Sequence, residues 1–318
     1  MKSKDMAAYV PIVEQMADTA LCFLKGHGIS FPDAYPLPEL RLSLERRTKL
    51  YGIYNKRNVL AELRRVQNNI SLTVSNDLCR RLDRFLHNLQ LFLEGASSAA
   101  SGFSIWQALK SEYKILEDSF NEQGSTGCED TGAKFWQQIR GLYTKVNQLE
   151  IRQELSGVFS SEGRIVIYMN NIDAICQSQN LPLKFYLQSV LVHEYTHACH
   201  YADFMRQQNI SDAEGFSLEK SLLRWSGANF GVSRASCVKE SLARYMQAIW
   251  CREQDIDLAN RLFADAYGEY VIQPNWPYAG AQELLLLEQE AGLKLFQNIW
   301  KASLTEWEQA YELLGVVD

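Results

Sequence analysis

The 318-residue sequence predicts a mostly helical α+β protein: a helical N-terminal lobe over residues 1–128, then a second lobe over 129–318 with a small β-sheet and one central helix. Three observations predict it. Aliphatic residues recur at helical spacing through most of 39–120, as in Leu78, Leu82, Phe85, Leu89 and Leu93. One β-branched run, Gly163–Asn170, follows a Ser-Ser-Glu-Gly turn and reads as a strand. Further on, Leu183, Leu187, Val190 and Leu191 recur at helical spacing in a stretch that holds no Gly or Pro from 183 to 214. At 47% hydrophobic, the chain can bury a core in each of two lobes.

The elements follow in order. Residues 1–6 lead into an amphipathic pattern rather than a continuous apolar region, so no secretory signal is expected. No run of 18 apolar residues exists, so no membrane span is expected either, and the sequence predicts a cytoplasmic location. No proline occurs between Pro38 and Pro182, and Leu40, Leu44, Leu50, Leu60, Leu63 and Val66 extend the helical pattern of the first lobe. Small residues over Gly95–Gly102 interrupt that lobe, and Asn121–Ala133, with three glycines, is the expected linker. Asn180 is the expected N-cap and Pro182 the first-turn residue of a helix near 182–207, with one buried face. Ser233 or Ser236 is placed to cap a further helix running to about Trp250, and Leu295–Leu314 reads as packed helices.

The chemistry lies in His193-Glu194-Tyr195-Thr196-His197. Residues four apart on a helix sit about 40° apart around the axis and about 6 Å along it. Two imidazoles so placed converge on one Zn²⁺, and Glu194 flanks the metal, where it can take a proton from an activated water and pass it to a leaving amine. Of the five histidines, His193, His197 and His200 fall within eight residues, which supports a metal reading of the motif.

A catalytic zinc needs a third protein ligand, and three residues compete. Asp203 would require a glycine at 200 to break the helix, and that position holds His200. His200 lies in the same stripe, but three ligands on one straight helix spread over about 10 Å and cannot share a tetrahedral centre. It reads as a partly exposed residue at the cleft rim or as a donor behind the ligands. Glu240, 43 residues past His197, falls in an early turn of the later helix, with Ala243 and Gln247 on its face. A small residue one turn below the carboxylate lets the two helices approach, so Glu240 is the expected ligand.

H-E-x-x-H followed some 40 residues later by E-x-x-A-x-Y resembles the gluzincins, the thermolysin-type zinc metallopeptidases. The resemblance covers roughly residues 150–318. It implies a zincin-type catalytic lobe, a His193/His197/Glu240 zinc site and Glu194 as general base. It further implies that the 164–170 strand is the sheet edge on which an extended peptide pairs. Tyr278-Ala279-Gly280 is similar to the Y-x-G segment of such enzymes, which makes Tyr278 the expected oxyanion stabiliser, with Tyr245 or Tyr270 behind it. Many relatives have Gly after the ligand Glu where this chain has Ser241.

The expected activity is therefore hydrolysis of a peptide or protein substrate, with the helical lobe bounding the cleft or recruiting substrate. Two other classes stay open: a zincin scaffold that binds or regulates without hydrolysis, and an amidase for a non-peptide substrate. Seven cysteines without a C-x-x-C pair read as reduced thiols. Cys199 is expected in the core, and Cys128 is a loop thiol with nothing in its flanks that demands a metal role. Residues 41–84 hold 11 basic and 4 acidic side chains, which reads as a solvated helix face. Interleaved aromatics are too few for stacking on bases, so no nucleic-acid partner is expected. The sequence leaves the oligomeric state open.

Overall fold

The computed structural model describes residues 3–32, 35–51, 54–69, 76–94, 99–124, 130–146, 149, 151–160, 163–209, 228–229, 232–263, 281, 284–285, 287 and 289–315. The chain forms two compact units. One comprises Met1–Leu50, Arg152–Phe263 and Asn275–Asp318, the other Tyr51–Ile151 and Ala264–Pro274. The expected division lies at 128/129, whereas here the first 50 residues fall in one unit with Arg152–Phe263, and Tyr51–Ile151 in the other.

In the first unit, α1 (Ser3–Gly26) buries Val13, Met16, Ala17, Ala20 and Leu24 along one stripe against the later central helix. Strands β1 (Glu39–Ser43) and β2 (Thr48–Tyr51) follow. Both lie where the leucine spacing suggests helix. Leu40 and Leu42 satisfy a period of 2 as well, with Glu39 and Arg41 exposed between them, and strand pairing decides the ambiguity.

The second unit contains α2 (Lys56–Asn69), α3 (Asn76–Glu94), α4 (Ala99–Gly124) and α5 (Asp130–Val146). Leu63, Leu82, Phe85, Leu86 and Leu89 share one core with Leu109 and Leu116 of α4 and with Phe135, Trp136, Ile139 and Leu142 of α5. Residues 121–133 thus lead from one helix to the next within a single core rather than between domains. The Tyr113 and Tyr143 rings stack across α4 and α5 with centroids 3.9 Å apart. Lys145 Nζ donates to the Glu62 carboxylate at 2.6 Å between α5 and α2.

Back in the first unit, β3 (Ile151–Glu154) pairs with β2, and β4 (Gly157–Ser160) and β5 (Arg164–Tyr168) form a hairpin. Gly163 turns that hairpin at φ +73°, a conformation side chains with a Cβ disfavour. Strand order in the main sheet is β1-β5-β4, with β1 parallel to β5 in the register Leu40↔Ile165 and Leu42↔Ile167, and β4 antiparallel to β5. The β-branched strand at 164–168 is therefore central rather than an edge, because β1 covers one side and β4 the other. Ile165 and Ile167 are fully buried, as a central strand requires.

Helix α6 (Met169–Gln179) starts directly after β5 and ends at Asn180, whose left-handed φ of 51° makes it the C-cap of α6 rather than the N-cap of the next helix. Pro182, extended at φ −62° and ψ 130°, occupies the N-cap of α7 (Leu183–Gln208), one place before the first helical turn. Asn tolerates the left-handed conformation that ends a helix, and a proline two residues on prevents α6 from continuing. Helix α7 is buried continuously from Phe185 to Ala202 instead of along one face. It is the axis of the unit, packed by α1, α6, β4 and α8 (Arg234–Gln254), the last beginning directly after Ser233 of the β6–β7 ladder (Ala228–Asn229, Val232–Ser233). Helices α9 (Gln289–Ser303) and α10 (Trp307–Leu313) close the C-terminal part, as the 295–314 pattern suggests. No described helix is long and apolar enough to cross a membrane.

Candidate metal centre

His193 and His197 lie one turn apart on α7, and both present Nε2 to the same point, 3.1 Å from each other. Helix α8 packs along α7 and brings Glu240 Oε2 to 3.4 Å from each of those nitrogens. Ala243, fully buried one turn further along α8, leaves the room for this approach. A tetrahedral metal with bonds of about 2.0–2.1 Å spaces its ligand atoms about 3.3–3.4 Å apart. The observed triangle has that size. Two imidazole nitrogens and one carboxylate oxygen are also the donor set of a catalytic zinc site with an open position, so the residues fit a metal ion.

Burial and electrostatics bear on the protonation of His197 and Glu240. Burial lowers the His197 pKa below the usual 6.5, which keeps its imidazole neutral. Burial works against ionisation of Glu240, but electrostatic attraction to the His197 ring and the hydrogen bonds from His193 and His197 outweigh it and hold the carboxyl well below the usual range. Neutral imidazole and ionised carboxylate are the ligating forms.

Glu194 is only 4% exposed and lies against Gly157 of β4. Burial pushes its pKa up to about 7, opposed by His193 and by the Phe159 backbone N–H that donates to the carboxylate. Its Oε2 has no hydrogen-bond partner among the described residues. A buried carboxyl poised near neutrality beside a metal-ligand triangle has the attributes of a general base.

The remaining residues singled out by the sequence fall elsewhere. Asp203 is engaged away from the triangle, with Oδ1 accepting from Arg206 at 2.8 Å and Oδ2 from the Trp300 indole N–H at 3.0 Å. His200 is 3% exposed, so it is a core residue rather than one at a cleft rim. The rings of Trp300 and Trp307 cover it, with centroids 4.8 and 5.7 Å away. Ser303 Oγ donates to Trp300 O at 2.7 Å, so it accepts from His200 Nε2–H at 2.7 Å, which fixes that tautomer. The Tyr245 ring stacks on Phe296 with centroids 5.4 Å apart. Cys199 is fully buried. Tyr278, Tyr270 and Cys128 lie outside the described residues.

Sequence reasoning missed β4. Tyr168 N–H donates to Ser156 O, so Ser156, Val158 and Ser160 bond β5 while the backbone groups of Gly157 and Phe159 face away from it. Among the described residues, no strand pairs with β4 on that side. The strand is pinned to α7 by Ser156 Oγ against Tyr186 OH at 2.8 Å and by the Phe159 ring on Tyr201, 5.8 Å between centroids. Nothing in the alternation of Gly157-Val158-Phe159-Ser160 signals contact with Glu194, 37 residues away. No protein-family model, curated protein or solved structure matches the chain.

Proposed function

We infer that the protein is a zinc-dependent metallopeptidase of the gluzincin type. The observation that carries this reading is the His193–His197–Glu240 triangle of metal-ligand size with the buried Glu194 carboxylate beside it. A zinc ion held there would supply Lewis acidity, polarising a substrate carbonyl and acidifying a water. Glu194 takes the proton of the attacking water and delivers it to the leaving amine. With the Phe159 N–H given to Glu194, the outward Gly157 backbone groups and the Phe159 carbonyl of β4, rather than any group of β5, are placed to pair with an extended peptide. The tyrosine that would stabilise the oxyanion is Tyr278.

One observation favours a second reading, an amidase for a small non-peptide substrate. His193, His197 and Glu194 are each less than a tenth exposed, which suits a narrow approach.

The test is N-terminal profiling of a denatured proteome digest with wild type and Glu194→Gln at equal zinc content. New termini with wild type, reduced about 10²–10⁴-fold in rate by the substitution, support the peptidase. No new termini with either protein, at one zinc per chain, rejects it in favour of the small-substrate enzyme or a binding scaffold.

A further inference from the structure

Glycine at position 157 is not demanded by backbone conformation, since its φ lies outside the left-handed region. Space demands it. A Cβ there would lie 2.7 Å from Glu194 Oε1, 2.8 Å from Cγ and 3.0 Å from Cδ. The first two are shorter than real Cβ contacts, and rotating the carboxylate about Cγ–Cδ moves Oε1 but leaves the Cγ and Cδ contacts in place. The arm is 4% exposed and has little room to swing. The strand has little room to retreat, held by β5 on one edge and by Tyr186 and Tyr201 of α7 through Ser156 and Phe159.

We propose that Gly157 is a positioning residue for Glu194: its missing side chain lets β4 lie on the carboxylate arm and brings the Phe159 N–H to the carboxylate. The inference rests on the reading of Glu194 as the general base, and it adds the residue that sets where that base stands. A methyl group at 157 forces one of two displacements. Either the carboxylate turns away, or β4 lifts and takes the Phe159 N–H with it. Both break the same hydrogen bond and leave the metal ligands, which are on α7 and α8, where they are.

A double-substitution cycle tests this without relying on activity. Gly157→Ala is made in the wild-type chain and in Glu194→Ala, which removes the three atoms the new Cβ would lie nearest. The expected result is a lower melting temperature, by about 2–4 °C or more, in the wild-type background, and little change in the Glu194→Ala background. Failure of Gly157→Ala to fold alongside a folded double variant gives the same support. An equal effect in both backgrounds, no effect in either, or loss of folding in both overturns the proposal. In the peptidase assay, Gly157→Ala should lower kcat on the order of 10²-fold, with zinc content and KM unchanged. Thermal coupling without any hydrolysis by the wild type would sink the peptidase reading and leave the Gly157–Glu194 fit standing.

Discussion

Gln247 of α8 donates to Ser189 Oγ of α7 at 3.1 Å, one turn before His193 and two turns after Glu240, so a buried hydrogen bond ties together the two helices that carry the candidate ligands. Ser189 in turn donates to Tyr186 O, and Arg244 Nη1 donates to Gln247 Oε1 at 3.0 Å. Removing the amide takes one hydrogen-bond partner from Ser189 Oγ and one from Arg244 Nη1. Gln247→Ala should therefore cost about 1–3 kcal/mol in urea unfolding and loosen zinc binding as well. Unchanged zinc affinity would show that packing around Ala243 sets the register alone.

The three ligands should act as one unit. Wild type is expected to retain one zinc per chain after gel filtration, measured by elemental analysis, and His193→Ala, His197→Ala and Glu240→Ala to lose it. Stripping zinc with a chelator should lower the stability of wild type by about 4 kcal/mol if the free ion was held at a thousandfold excess over Kd. The same treatment should leave the ligand variants unaffected.

The metal-free protein should show two opposed pH responses. Burial lowers the His200 and His197 pKa values below 6.5, so the unfolded chain binds more protons than the folded one below that pH. Their stabilising contribution is complete above about 6.5 and is lost as pH falls. Glu194 works the other way: raised from 4.5 to about 7, it holds a proton that the unfolded chain has lost, and stability declines as pH rises between those values. Urea midpoints from pH 5 to 8 should thus rise more steeply with pH in Glu194→Gln and less steeply in His200→Gln. Parallel profiles for all three chains would contradict the assigned environments.

Thiol reactivity should divide by burial. Cys22 is exposed on α1, while Cys176, Cys199, Cys237 and Cys251 are buried. Burial also raises the thiol pKa of Cys176 to about 11 and of Cys251 to about 12, which suppresses the reactive thiolate. Alkylation at pH 8 followed by peptide mapping should label Cys22 and spare those four until denaturant is added. Rapid labelling of Cys199 in the native protein would be incompatible with α7 as a buried axis.

What the sequence determined by itself was local. The four-residue spacing of His193 and His197, with Glu194 next to the first, places all three by helix geometry, which needs no knowledge of the rest of the chain. Glu240 was legible because its own helix carries a small residue and a polar one on the ligand face. The helices of 56–69 and 76–94, and the packed helices expected over 295–314, followed from periodicity for the same reason. Contacts between distant segments were decided only by the tertiary structure. Leu40 and Leu42 fit a helix or a strand until Ile165 and Ile167 arrive beside them, more than 120 residues later. Asn180 caps whichever helix holds its backbone left-handed. His200 is exposed or buried according to whether Trp300 and Trp307 fold over it. The sheet edge belongs to β4 because β1 takes the far side of β5, and that pairing brings Gly157 onto Glu194. Side-chain periodicity reports which face of an element is apolar, whereas the partner that covers that face is chosen by packing the whole unit.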